Sequence, residues 1–136
     1  MNKFYTGMAA ILLLGVAMAE ASAASVTCAM QASGTTATWK NELGSTATLK
    51  VDSSGNVTGT YKDGSGSGAS GPLVGFCNQS GIAFTVGWTG LKTITSWTGT
   101  YDSSTKKITT LWYLVNGGSS AWNNTNAGTD TFKQKE

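Results

Sequence analysis

Six polar side chains share, by two-residue alternation, the faces that carry tryptophan. They are Asn41, Ser45, Tyr61, Thr93, Thr95 and Asp130, set beside Trp39, Trp88, Trp97 and Trp112. The stretch 93–101 shows the pattern best, because every second residue there is Thr93, Thr95, Trp97, Gly99 and Tyr101. A core filled only for stability uses Leu, Val and Ile, since a buried polar group without a partner costs about 1–3 kcal/mol. Hydroxyls, an amide and a carboxylate among indoles suit a small molecule that is both flat and polar. Taken singly, each Trp reads as core packing, each strand Thr as β-propensity and Asp130 as a cap or turn. Only the conjunction points to a site.

Composition narrows the chemistry. The chain has nine lysines, no arginine and no histidine. General-base catalysis near neutral pH, most metal sites and bidentate phosphate recognition are therefore disfavoured. A net charge of +2 without a basic cluster implies no nucleic-acid partner, and Lys106-Lys107 reads as a turn. No metal, cofactor or catalysis is expected.

The elements that would position these residues are short strands. Residues 36–41, 46–51, 56–61, 72–77, 82–88, 93–101, 107–115 and 128–133 read as eight, separated by Gly-, Ser-, Asn- and Asp-rich turns. Eight short antiparallel strands with tight connections predict an all-β fold, a closed up-and-down barrel wide enough for one small ligand. Residues 62–71, rich in Gly and Ser, read as a mobile loop between two of these strands. The seventh strand is apolar on both faces: Ile108, Trp112 and Leu114 on one, Leu111, Tyr113 and Val115 on the other. Its outer face predicts contact with another subunit. The motif Thr-Gly-Thr-Tyr occurs at 58–61 and 98–101, read as similar strand chemistry and not as a duplication.

Ahead of this domain, Lys3, an apolar run over 8–19 and Ala21-Ser22-Ala23 form a secretory signal, expected to be cut after Ala23. The expected mature domain is 24–136, secreted or periplasmic, with no membrane span. Cys28 and Cys77 both fall in it and predict a disulfide, either within the chain or between subunits.

Seven fragments in order carry a resemblance: Trp39-Lys-Asn41-Glu-Leu-Gly-Ser45, Thr58-Gly-Thr-Tyr61, Phe84-Thr-Val-Gly-Trp88, Thr93-Ile-Thr95-Ser-Trp97-Thr-Gly, Thr109-Thr-Leu-Trp112-Tyr-Leu, Ala121-Trp122 and Gly128-Thr-Asp130-Thr-Phe132. The chain resembles the avidin/streptavidin family of biotin-binding proteins, most closely its bacterial members. The resemblance implies that Asn41, Ser45 and Tyr61 donate to the ureido oxygen of biotin. It implies that Asp130 accepts a ureido N–H, that Thr95 meets the sulfur, and that Thr93 meets the valerate carboxylate. Trp88, Trp97 and Trp112 would wall the ring, and Trp122 would be donated to a neighbouring subunit of a homotetramer.

Two departures stand out. Asp63 occupies the place of an uncharged acceptor for the second ureido N–H, and two carboxylates at one ligand should raise one pKa. The Gly/Ser loop should lose more entropy on closing and release ligand faster. The alternatives are a periplasmic β-barrel protease inhibitor acting through an exposed arm, and a glycosidase using Asp63 and Asp130 as a carboxylate pair.

Overall fold

The computed structural model describes residues 25–118, 120 and 124–136. The signal segment and Trp122 lie outside the described residues. Eight strands follow in chain order: β1 Thr36–Asn41, β2 Thr46–Val51, β3 Asn56–Lys62, β4 Ser70–Asn78, β5 Gly81–Gly87, β6 Thr93–Asp102, β7 Lys107–Asn116 and β8 Thr125–Gln134. Each pairs antiparallel with the next, and β8 returns to β1 through Asn41↔Phe132, so the sheet closes. Closure removes every free edge.

Alternation explains which side chains fill the barrel. Along β5, Ile82, Phe84 and Val86 are buried; along β2, Ala47, Leu49 and Val51 are buried. Three boundaries differ from the sequence reading. β4 starts at Ser70, before Pro72, because Ser70 and Gly71 pair with β3 alone and β5 joins only from Leu73. β5 stops at Gly87, leaving Trp88 just past its end, although the Trp88 amide still donates to the Thr93 carbonyl at 3.1 Å. β8 starts at Thr125, because β7 runs on to Asn116 and supplies partners for these weakly β-prone residues.

The repeated Thr-Gly-Thr-Tyr has a geometric reason. A Cβ at Gly59 would sit 1.9 Å from the Thr48 carbonyl oxygen, and one at Gly99 would sit 2.0 Å from that of Thr109. In both motifs the glycine lets the neighbouring backbone close in. Gly99→Ala is accordingly expected to cost about 2–3 kcal/mol, read as a fall in the urea midpoint. An unchanged midpoint would mean that the backbone simply yields.

One end of the barrel is closed by the N-terminal arm. Met30 and Gln31 are buried there. The Gln31 amide donates to the carbonyls of Thr35 (2.7 Å) and Leu49 (2.9 Å), and its oxygen accepts from Trp39 Nε1 at 3.4 Å. Tyr101 packs edge-on against Trp39. Cys28 and Cys77 form an intrachain disulfide, so the bridge ties this plug to the end of β4. Trp39 therefore belongs to the closed end, away from the other indoles.

The outer face of β7 is bare in the single chain. Leu111 is 63% exposed and Tyr113 61%, and across β6 and β5 the register aligns them with Phe76 and Val74 of β4, which are as exposed.

Candidate ligand site

The open end of the barrel collects the last residue of β1, the turn into β2, the end of β3, Trp88 past the end of β5, the first half of β6, the second half of β7 and Asp130 of β8. A small cavity of about 110 Å³ lies there, lined by Asn41, Ser45, Tyr61, Trp97, Trp112 and Asp130, among others. It meets a second cavity of about 320 Å³ at Asp63, Trp88 and Leu114. The second forms a mouth walled by the 63–69 loop, Thr93 and Asn116. A wider groove of about 670 Å³ crosses the outer face over Val74, Phe76 and Ser96, but its polar groups are mostly strand hydroxyls and turn residues. The converging functional groups are at the barrel end.

An aromatic column fixes the floor. Tyr61 stacks on Trp97 at 4.8 Å and 25°, and Trp97 stacks on Phe84 at 5.1 Å and 19°. Trp88 meets Tyr61 edge-on at 5.5 Å. These contacts hold the Tyr61 hydroxyl in the cavity beside Asn41, whose Nδ2 lies 3.5 Å from it. The Asn41 amide is itself oriented, because its oxygen accepts the backbone N–H groups of Leu43 (3.1 Å) and Ser45 (2.8 Å). Its NH₂ is thereby turned inward.

The polar groups satisfy one another. Trp97 Nε1 donates to Asp130 at 2.8 Å, Trp88 Nε1 donates to Thr95 Oγ1 at 2.8 Å, and Ser45 Oγ donates to Asp63 at 3.3 Å. Among the described residues no buried side-chain nitrogen or oxygen lacks a partner. Every fully buried polar atom among the described residues thus has a partner, and the preformed geometry reduces the ordering that a ligand at the cavity would require.

Electrostatically the two carboxylates are opposites. Burial pushes the Asp130 carboxyl above its ordinary range, against the pull of Trp97 and Asn41, and Glu42 adds to the rise. Burial also acts on Asp63, but hydrogen bonds from Ser65, Ser67 and Ser45 outweigh it and hold that carboxyl at about 2. The rise at Asp130 thus comes from desolvation first, and mutual repulsion with Asp63 is not among its main causes. Burial likewise pushes the Tyr61 phenol up, so the phenol keeps its proton and remains a donor.

The profile of the avidin family matches residues 29–135. The chain belongs to the avidin family. Afifavidin of Afifella pfennigii is 36% identical over 104 residues, 69% of this chain, and the chain spans 65% of that relative's length. Rhizavidin, solved in complex with biotin, is 34% identical, with a TM-score of 0.69 over 78% of this chain and 97% of that one. Core-bradavidin is 32% identical, with a TM-score of 0.66 over 74% of this chain and 100% of that one.

In this avidin-family barrel, Asn41, Ser45, Tyr61, Trp88, Thr95, Trp97, Trp112 and Asp130 line the inner cavity, Thr93 lines the mouth, and Asp63 lines both. Thr93 does not offer its proton to the mouth: its hydroxyl donates to Asn116 Oδ1 at 3.1 Å. Leu43, Leu91, Leu114 and Asn116 complete the walls and were not singled out in the sequence. Leu114 and Asn116 were within reach, because they continue the Thr110, Trp112 alternation. Leu43 and Leu91 sit in turns, where no periodicity marks a facing.

Proposed function

We propose that this chain binds biotin without catalysis, in the inner cavity, with the ureido group at the Asn41–Ser45–Tyr61 end and the tail leaving through the mouth. The observation that carries this is the convergence of an inward-turned amide and the Tyr61 hydroxyl opposite Asp130, beneath indole walls; Ser45, expected to donate as well, instead gives its proton to Asp63. Tyr61 keeps its proton and Asn41 its two N–H bonds, so both can donate to a carbonyl oxygen, as donors do in an oxyanion hole. Asp130, which accepts from Trp97 through Oδ2, is the carboxylate at hand to accept an N–H. Thr95 already accepts from Trp88 and has its own proton to offer a thioether. Membership of the avidin family, and rhizavidin's capture as a biotin complex, support the choice of ligand.

Self-association as a homotetramer belongs to the same proposal, supported by the bare apolar face of β7. Export does too, supported by the Cys28–Cys77 bridge, which persists in oxidising compartments. Calorimetry with native mass measurement tests the reading. One biotin per chain is expected, with Trp emission quenched or shifted to the blue, because Trp88, Trp97 and Trp112 line the cavity. No heat and unchanged emission at stoichiometric biotin would overturn it.

A further inference from the structure

We infer that the mouth selects biotin whose tail is a neutral amide, as when joined to a lysine side chain, over the free acid, and that Asp63 sets this preference. The inference rests on the biotin reading above and concerns the tail, which that reading leaves open.

Asp63 lines both cavities at their junction, so a tail running from the inner cavity into the mouth passes it. Its Oδ2 accepts the hydroxyls of Ser65, at 2.6 Å, and Ser67. Its Oδ1 accepts the Ser65 amide at 3.2 Å and the Ser45 hydroxyl at 3.3 Å. A serine has one proton. The protons of Ser65 and Ser67 are committed to Asp63, and the Ser67 oxygen also accepts the Ala69 amide at 3.0 Å, so neither hydroxyl is left to donate at the mouth. Thr93 is committed as well, to Asn116. The hydroxyl donors that a carboxylate tail would use are therefore spent.

Charge acts in the same direction. Asp63 is an anion at neutral pH. Among the described residues no lysine lines either cavity, although Lys62 and Lys92 flank the mouth in sequence. The donors that remain are loop backbone N–H groups and the Asn116 amide. An amide tail uses all of this: its carbonyl takes the remaining donors, its N–H meets the surplus acceptors, and it brings no charge. A carboxylate has only acceptors and meets a like charge.

The test compares biotin with biotin N-methylamide by competition calorimetry at pH 7. The amide is expected to bind at least roughly tenfold more tightly, as two like charges within several ångströms at a protein surface imply. Asp63→Asn keeps the size and removes the charge. Its amide-to-acid ratio is expected to fall to about one, and because both ligands face the same loop, any loosening of that loop cancels in the ratio. Equal or tighter binding of the acid by the unaltered chain overturns the inference, as does an unchanged ratio in Asp63→Asn. If neither compound binds, the biotin reading falls and this inference with it; if both bind without preference, only the inference falls.

Discussion

Asp130→Ala is expected to weaken biotin binding by about 30- to 1,000-fold, the largest single loss at the site. A hydrogen bond to a charged group contributes roughly 1.5–3 kcal/mol, and the substitution also strands Trp97 Nε1, which donates to Asp130 at 2.8 Å. An affinity within about threefold of the unaltered chain would remove Asp130 from the site. Asp130→Asn separates the two roles. The amide oxygen keeps the bond to Trp97 while the buried charge disappears.

The sign of the stability change follows from the raised pKa. A carboxyl whose folded pKa lies above its unfolded value holds its proton better in the folded chain. Its contribution is then fully present below the unfolded pKa, near 4, and is lost as pH rises through the folded value. Once pH passes that folded value the ionised Asp130 is a net cost, so there ligand-free Asp130→Asn should melt higher than the unaltered chain while binding biotin less well. Asp63 behaves oppositely. Held at about 2, its contribution is present above pH 4 and fades as pH falls toward 2, discounted by its exposure to water.

The second large effect is on stability alone. The Cys28–Cys77 bridge closes a segment of 49 residues. Loop-closure entropy for that length sets a ceiling of about 4 kcal/mol, and replacing both cysteines with serine is expected to cost about 2–4 kcal/mol, read as a lower urea midpoint. Biotin affinity should change by less than about threefold, because the bridge and the Met30–Gln31 plug sit at the end of the barrel opposite the site. A large loss of affinity with little loss of stability would mean that the two ends are coupled.

Much of this was legible in the sequence, for a physical reason. A closed barrel imposes strict in–out alternation, so Trp97, Thr95, Asn41 and Asp130 could be placed facing inward from spacing alone, and Leu111 and Tyr113 facing out. What alternation does not encode is which groups pair. That Thr93 would give its proton to Asn116, or that Asp63 would gather Ser65 and Ser67, depends on side-chain reach across a turn. The 62–71 stretch read as loose because its composition is that of a linker; one carboxylate organises it. The plug was hidden because the arm has no period, and Gln31 is buried only because Trp39 and the Leu49 carbonyl happen to meet both ends of its amide. Strand ends were misjudged where a neighbour's length decided them, as at Thr125.

The bridge at the closed end also determines how the molecule carries a load. A pull on the chain ahead of Cys28 passes through the covalent bond to Cys77 and so reaches β4 directly. The 49-residue separation it spans corresponds to roughly 160–175 Å of extended chain that cannot be drawn out while the bond is intact. β1, β2 and β3, which bring Asn41, Ser45 and Tyr61 to the site, lie wholly inside that protected length. Tension from that side would therefore spare three of the site's strands until the sulfurs part.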